Sequence, residues 1–224
     1  MDRTTSPGRF GGPMMSDFLV SRRELLAGLT GLFGRPAYAQ QIDIGRATAF
    51  VDKAGQELVN TINDPRLSPP QRRDRVASIL RTAIDIEGTG RFVLGRQLRQ
   101  ATPAELQDYL KLFDEIIIRN LSSRFGEYRG VKFVVGRSQQ RTEEDALVST
   151  VVERPNTPAF TLDWRVAEIA GQPKVVDMIA EGTSLRLTTR SEYAAVIQRN
   201  GGRVTALLDA MRGQIAQLAA REGS

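Results

Sequence analysis

Apolar residues recur at helical spacing through the first half of the chain. Phe50, Val51, Ala54, Leu58 and Ile62 fall on one face of a 3.6-residue repeat, which predicts a helix over 47–62. Ser68-Pro69-Pro70-Gln71 has the form of a capping box with proline at the first helical position. Val76, Ile79, Leu80, Ala83 and Ile84 continue behind it as a second apolar face. Gly88 and Gly90 are expected to end that segment and to leave Phe92, Val93 and Leu94 in a short turn-like piece. A further capping box, Thr102-Pro103-Ala104-Glu105, opens a long helix that presents Leu106, Tyr109, Leu110, Phe113, Ile116, Ile117, Leu121 and Phe125 and ends near Gly126 or Gly130.

At Val131 the period changes from 3.6 to 2. Val131, Phe133 and Val135 alternate with Lys132, Val134 and Gly136, and a second strand is expected over 146–153, closed by Pro155. Phe160, Leu162, Trp164 and Val166 alternate with Thr161, Asp163 and Arg165, the signature of a sheet buried on one face. Gly171-Gln172-Pro173 reads as a hairpin turn, and residues 175–187 as a fourth strand with a bulge at Gly182. Two helices finish the chain. One starts behind Thr189-Arg190-Ser191-Glu192 and breaks at Gly201-Gly202; the other carries Val204, Leu207, Leu208, Met211, Ile215 and Leu218 on one face. The pattern predicts an α+β domain with helices packed on one face of a four-stranded antiparallel sheet.

The N-terminus belongs to targeting rather than to the fold. Arg22-Arg23 precede an apolar run, Leu25 to Phe33, which is shorter than the roughly 20 residues a membrane span needs. Ala37-Tyr38-Ala39 is the small-x-small pattern of a cleavage site. Residues 1–39 therefore read as a cleaved signal peptide and residues 40–224 as one domain. The arginine pair between Ser21 and Glu24-Leu25-Leu26 resembles a twin-arginine signal, with the Sec route as the alternative. Five arginines and three acidic residues leave with the leader, so the charge falls from +5 to +3. That mild, interleaved charge argues against a nucleic-acid partner.

Candidate chemistry is sparse. The chain has no Cys and no His, which excludes disulfides, thiolate nucleophiles, the usual zinc, copper and haem ligands, and a His-dependent triad. No cofactor is expected. Gly88-Thr89-Gly90-Arg91-Phe92-Val93 fails as a dinucleotide fingerprint, since Val93 stands where the third glycine belongs and no strand precedes it. Arg72, Arg73 and Arg75 read as a solvated basic face, with contact to anionic lipid headgroups as the alternative. Asp163 and Asp177 are the carboxylates placed in strands. Asp163 is expected on the solvent face, and Asp177, sharing a face with Val175 and Ile179, is expected to make a structural hydrogen bond to a loop or helix end.

The stretch Val175-Val176-Asp177-Met178-Ile179-Ala180-Glu181-Gly182-Thr183-Ser184-Leu185, followed by Thr189-Arg190-Ser191-Glu192-Tyr193, resembles the MlaC family of periplasmic phospholipid-binding proteins, also called the toluene-tolerance auxiliary family. Ala101-Thr102-Pro103-Ala104-Glu105-Leu106, Leu162-Asp163-Trp164 and the 201–208 break add support, and the likeness covers roughly residues 45–218. One departure is that Leu94-Gly95 is followed by Arg96-Gln97-Leu98-Arg99 where members often carry Tyr or Trp, so no headgroup or entrance role is mapped there.

The resemblance implies a nuclear-transport-factor-like cone whose apolar cavity holds acyl chains. It also implies a periplasmic, monomeric, non-catalytic shuttle for a phospholipid, or for a hopanoid-related lipid in one branch. Its partners would be an outer-membrane lipoprotein complex and an inner-membrane ABC transporter. The residues expected to line the cavity are Leu110, Phe113, Ile117 and Leu121 of the long helix, with Phe133, Val135, Phe160, Leu162, Trp164, Met178 and Ala180 of the sheet. Two other readings stay open: an enzyme of the same fold type using a cavity carboxylate such as Asp177, and a protein-binding adaptor whose cavity is filled by its own side chains. The export reading has a direct check. Arg22→Lys with Arg23→Lys should leave uncleaved precursor in the cytoplasm, and N-terminal sequencing of the wild-type mature protein should begin at Gln40; normal processing of the double variant would assign the Sec route.

Overall fold

The structure is a computed structural model that describes residues 42–126 and 130–222. The predicted leader, residues 1–39, lies outside them. The described elements run α1 (Ile44–Asn63), α2 (Pro69–Ala83), α3 (Ile86–Leu94), a 3₁₀ turn (Gly95–Arg99), α4 (Pro103–Gly126), β1 (Lys132–Gln140), β2 (Asp145–Arg154), β3 (Thr157–Ile169), β4 (Gln172–Ala180), β5 (Thr183–Ser184), α5 (Leu185–Arg199) and α6 (Val204–Glu222). The strands form one antiparallel sheet in the order β1-β2-β3-β4-β5. The domain is α+β as the periodicity predicts, with a fifth strand of two residues added.

Both capping boxes form. The Gln71 amide donates to Ser68 Oγ at 3.5 Å while the Ser68 amide donates to Gln71 Oε1 at 3.0 Å. The Thr102 amide donates to Glu105 Oε2 at 2.8 Å, and the Glu105 amide donates back to Thr102 Oγ1 at 3.2 Å. These reciprocal bonds satisfy helix-end donors that would otherwise need water.

Four expectations need correction. Gly88 and Gly90 do not end a helix; α2 stops at Ala83, and both glycines sit inside α3. Asp85 caps α3 by accepting from the Gly88 amide at 3.0 Å, and a Cβ at Gly88 would lie 2.0 Å from that carboxylate. Gly90 is there for packing, since a Cβ would meet Phe113 and Leu110 at 3.0 and 3.1 Å. Arg72 is not on a solvated face. It is 2% exposed, and its Nη2 donates to the carbonyls of Leu67 at 2.9 Å and Asp64 at 3.3 Å, tying down the link between α1 and α2.

The fourth strand is the third correction. It ends at Ala180, and Glu181-Gly182, with φ of 49° and 81°, form a two-residue turn of the kind that matches strand twist. Ser184 then caps α5, which begins at Leu185, earlier than the Thr189-Arg190-Ser191-Glu192 signal suggested. Last, the irregularity in β4 lies at Val176, not Gly182. Arg165 pairs with Asp177 but Val166 pairs with Val175, so the extra residue brings Val175 onto the face of Met178 and Ala180.

Two apolar cores result. In the first, α1 (Ala47, Val51, Leu58, Ile62) and α2 (Val76, Ile79, Leu80) cover the sheet face made by Ala146, Val148, Val152, Leu162, Trp164 and Val166. One buried polar pair is fully engaged there: the Trp164 indole donates to Thr150 Oγ1 at 2.9 Å, and that hydroxyl donates to the Leu162 carbonyl at 2.7 Å. The second core joins α3, α4, α5 and α6 through Val93, Phe113, Ile116, Ile197, Leu207 and Met211. Arg72→Ala should lower unfolding free energy by about 2–3 kcal/mol, because it removes charge-assisted bonds to buried carbonyls. Exposed Arg75→Ala should change it by less than about 0.5 kcal/mol. Urea midpoints of the two variants separate these outcomes.

Candidate functional site

An apolar cleft of about 310 Å³ opens where the two cores meet. Ile84 and Val175 reach it from the sheet core, Val93 and Phe113 from the helical core, and Ile86 packs against both. Ile117 and Leu121 of α4 and Met178 of β4 complete the apolar wall, with Leu185 at the start of α5.

The cleft exists because the free edge of β4 is covered at two places and not between them. At one end, Ile84 bridges to Val175 and the Asp85 amide donates to the Val175 carbonyl at 2.9 Å. At the other, β5 pairs with Ile179 and Ala180. Val176, Asp177 and Met178 lie between and line the cleft. The helical side is held by an aromatic cluster in which Tyr109, Phe113 and Tyr193 have ring centroids 5.8–6.4 Å apart. Tyr109 donates its hydroxyl to the Gly90 carbonyl at 2.9 Å, which fixes α4 against α3. Burial keeps its phenol well above the ordinary value and pushes that of Tyr193 up to about 12, so both stay neutral.

Charge enters the cleft at Asp177 and Arg186. Ser184 Oγ donates to the Asp177 carboxylate at 2.6 Å, and the backbone amide of Arg186 donates to it at 3.2 Å. Ser184 Oγ in turn accepts from the Leu187 amide at 3.2 Å. Asp177 therefore makes the expected structural bond to a helix end, but it shares its face with Ile179 and not with Val175, which the strand irregularity moves to the opposite face. Burial pushes its carboxyl above the ordinary value, while bonds from Ser184 and the Met178 amide and the charges of Arg165 and Arg141 act in the opposite direction. Arg186 Nε stands 3.6 Å from Asp177 Oδ2, and its guanidinium lies over the Phe92 ring at 4.0 Å. Polar groups of Asn120, Thr188, Thr189 and Glu192 complete the wall.

The residues predicted to line a cavity are divided by the fold. Phe113, Ile117, Leu121 and Met178 line the cleft. Leu110 packs in the helical core beside Gly90. Leu162 and Trp164 are buried in the sheet core, with Phe133, Val135, Phe160 and Ala180 half-buried against it. There α1 lies directly on the sheet, so close that a Cβ on Gly55 would fall 2.2 Å from the Phe133 ring. Ile84, Ile86, Val93, Val175, Val176, Leu185 and Arg186 belong to the cleft but not to the predicted set. Most sit at element junctions, where no periodic stripe marks them. Asp163, expected on the solvent face, is half-buried with its Oδ1 buried and unbonded. Among the described residues no cluster of acidic side chains is placed to hold a metal ion.

Comparison with known proteins adds three findings. The family profile described as MlaC protein matches residues 52–213. Toluene tolerance protein Ttg2D of Pseudomonas putida is 23% identical over 145 residues, covering 64% of this chain and 67% of that protein. A phospholipid-binding protein from Ralstonia solanacearum, solved in complex with a phospholipid, is 27% identical with a TM-score of 0.69, across 77% of this chain and 98% of that one.

The electrostatics of Asp177 give a signed test. A buried carboxyl whose folded pKa is raised holds its proton more tightly in the folded state than in the unfolded chain. Its contribution to stability is therefore greatest below the ordinary Asp value of 3.8 and declines as pH rises through the raised folded value. Asp177→Asn lacks this decline. The stability advantage of wild type over the Asn variant should be larger at about pH 4 than at about pH 7, measured by urea unfolding at both. The variant should still fold, since an amide oxygen can accept from Ser184 and Arg186 at a cost of about 1 kcal/mol.

Proposed function

Since this chain belongs to the MlaC family, we propose that it is a periplasmic carrier that binds a phospholipid and does no chemistry on it. Residues 1–39 direct export in this reading, and residues 40–224 form the carrier. The observation that carries it is the cleft itself: an apolar space at the seam of two cores, with polar groups at the α5 side. Phe113, Ile117, Leu121 and Met178, joined by Ile86, Val93 and Val175, meet the acyl chains. The likeness to a protein solved with a phospholipid supports the ligand class. A hopanoid-related lipid is the variant ligand of the same apolar space.

The mechanism needs no catalytic group. At about 0.8 kcal/mol per methylene, two acyl chains of roughly 30 methylenes are unfavourable in water by on the order of 24 kcal/mol. A bilayer offsets the same amount. A carrier whose walls are as apolar as a bilayer therefore exchanges lipid near thermoneutrality and acts by keeping the chains out of water in transit. In this reading it works as a monomer and moves lipid between an outer-membrane lipoprotein complex and an inner-membrane ABC transporter. Asp177 supports the cleft rather than acting as a base, because the donors of Ser184 and Arg186 engage its carboxylate.

Protein isolated gently from a bacterial periplasm should show, by native mass spectrometry, an added mass equal to one phospholipid, released by organic solvent. Ile117→Glu should abolish that increment, since an unpaired charge beside acyl chains costs several kcal/mol. Val134→Glu, at an exposed position away from the cleft, should keep it. Folded wild-type protein that is free of lipid after isolation from a lipid-replete envelope would overturn the reading. Turnover of a substrate that is lost in Asp177→Asn would replace it with the enzyme.

A further inference from the structure

We infer that Arg186 takes the phosphodiester of the bound lipid, so that the cleft selects phospholipid over uncharged diacyl lipid with the same chains. This rests on the lipid-carrier reading and adds to it the headgroup contact. Arg186 is the second residue of α5 and forms part of the cleft wall, with its side chain 15% exposed. A guanidinium carries five N–H donors in one plane and no acceptor, and it is not deprotonated in proteins. Stacking on Phe92 occupies a face of that plane and leaves the donors at its edge.

Those donors are poorly used. Nη1 reaches the Val176 carbonyl at 3.4 Å, at the long limit of a hydrogen bond. Nε is buried without a hydrogen-bond partner and stands 3.6 Å from Asp177 Oδ2. Arg190 lies on the same ring, 4.8 Å from the Phe92 centroid, and its Nη1 donates to the Phe92 carbonyl at 3.3 Å. Asp177 balances part of this charge through its Oδ2 at 3.6 Å, too far for a hydrogen bond to Nε, while Ser184 and a backbone amide donate to its oxygens and hold it at the helix start. A cation in the wall of an apolar cleft whose Nη donors make one long hydrogen bond fits a pair of anionic oxygens, and phosphate offers them. Asn120, across the cleft on α4, adds a side-chain amide with no hydrogen bond to the described residues.

The shared chemistry is a phosphate oxyanion, and the apolar walls decide between its sources. Free phosphate would gain nothing from Phe113, Ile117 and Met178, whereas a phospholipid places its chains there and its phosphate at the α5 rim. Delipidated full-length mature protein, titrated with a dioleoyl phospholipid, with dioleoylglycerol and with inorganic phosphate against a fluorescent lipid, separates these. Wild type should prefer the phospholipid over dioleoylglycerol by about tenfold or more, and inorganic phosphate should not displace the probe. Arg186→Gln should bring the two lipids to within about twofold by weakening the phospholipid alone, and Arg186→Lys should fall between. Equal affinity of wild type for both lipids would remove the role of Arg186 and leave the carrier standing; binding of neither would remove both. The wild-type preference is readable even if the Gln variant fails to fold. Retention of the full preference in folded Arg186→Gln would overturn the inference.

Discussion

Asp177 ties the last full strand to the helix that follows it. Its carboxylate accepts from Ser184 Oγ at 2.6 Å and from the Arg186 amide at 3.2 Å, so one side chain closes the β4–β5 hairpin and starts α5. The start of α5 is fixed by this, and with it the position of Leu185, Arg186 and Glu192 on the cleft wall. A buried carboxylate is tolerable only when donors compensate its lost hydration. The turn supplies them: Glu181 and Gly182 reverse the chain in two residues and deliver Ser184 opposite Ile179. The Asp–x₃–Glu–Gly–x–Ser stretch that carries the family likeness is thus a strand, a tight turn and a helix cap held by one hydrogen-bonded pair.

The cleft volume of about 310 Å³ lies at the low end of the roughly 300–1,000 Å³ typical of small-ligand pockets. A diacyl lipid needs more, so a carrier of the proposed kind must widen to load. The cleft lies beside α4, which belongs to both cores: Ile118 packs in the first, Phe113 and Ile116 in the second, and α2 lies along the same helix. Opening the cleft empty would cost roughly 24 cal/mol per Å³ of void. Opening it with a lipid entering replaces protein contacts by acyl contacts, and the narrow unloaded cleft limits the void the empty protein must sustain.

Much of the fold was legible in the sequence because its signals are local. Capping boxes at Ser68 and Thr102, the 3.6-residue stripes of α1, α4 and α6, and the alternation of Phe160, Leu162, Trp164 and Val166 each depend on neighbours a few residues away. The errors arose where a distant partner decides. Gly88 and Gly90 look like helix breakers until Asp85 and Phe113 are placed against them. Arg72 looks solvated until the Asp64 and Leu67 carbonyls turn toward it. The β4 irregularity, which moves Val175 to the core face, leaves no mark in a stretch as uniformly apolar as Val175-Val176. For the candidate site, periodicity pointed to the middle of the sheet, where β-branched and aromatic residues concentrate, but α1 fills that surface. The cleft lies at the sheet edge, and its lining comes from four separate segments that no single pattern joins.

Asp177 also sets how firmly Arg186 could hold a headgroup. An isolated guanidinium in an apolar wall would bind phosphate tightly, since charge pairs strengthen as water is excluded. A lipid held that strongly would not leave, and a carrier that cannot release is a sink. With a carboxylate 3.6 Å from Nε, part of the arginine's charge is already balanced before lipid arrives, and a phosphate approaching it also meets the field of Asp177. Glu192 in the same wall acts in the same sense. The pairing therefore weakens the grip while leaving its geometry, so that the contact orients the headgroup at the rim and the acyl chains, which the bilayer receives equally well, carry most of the exchange.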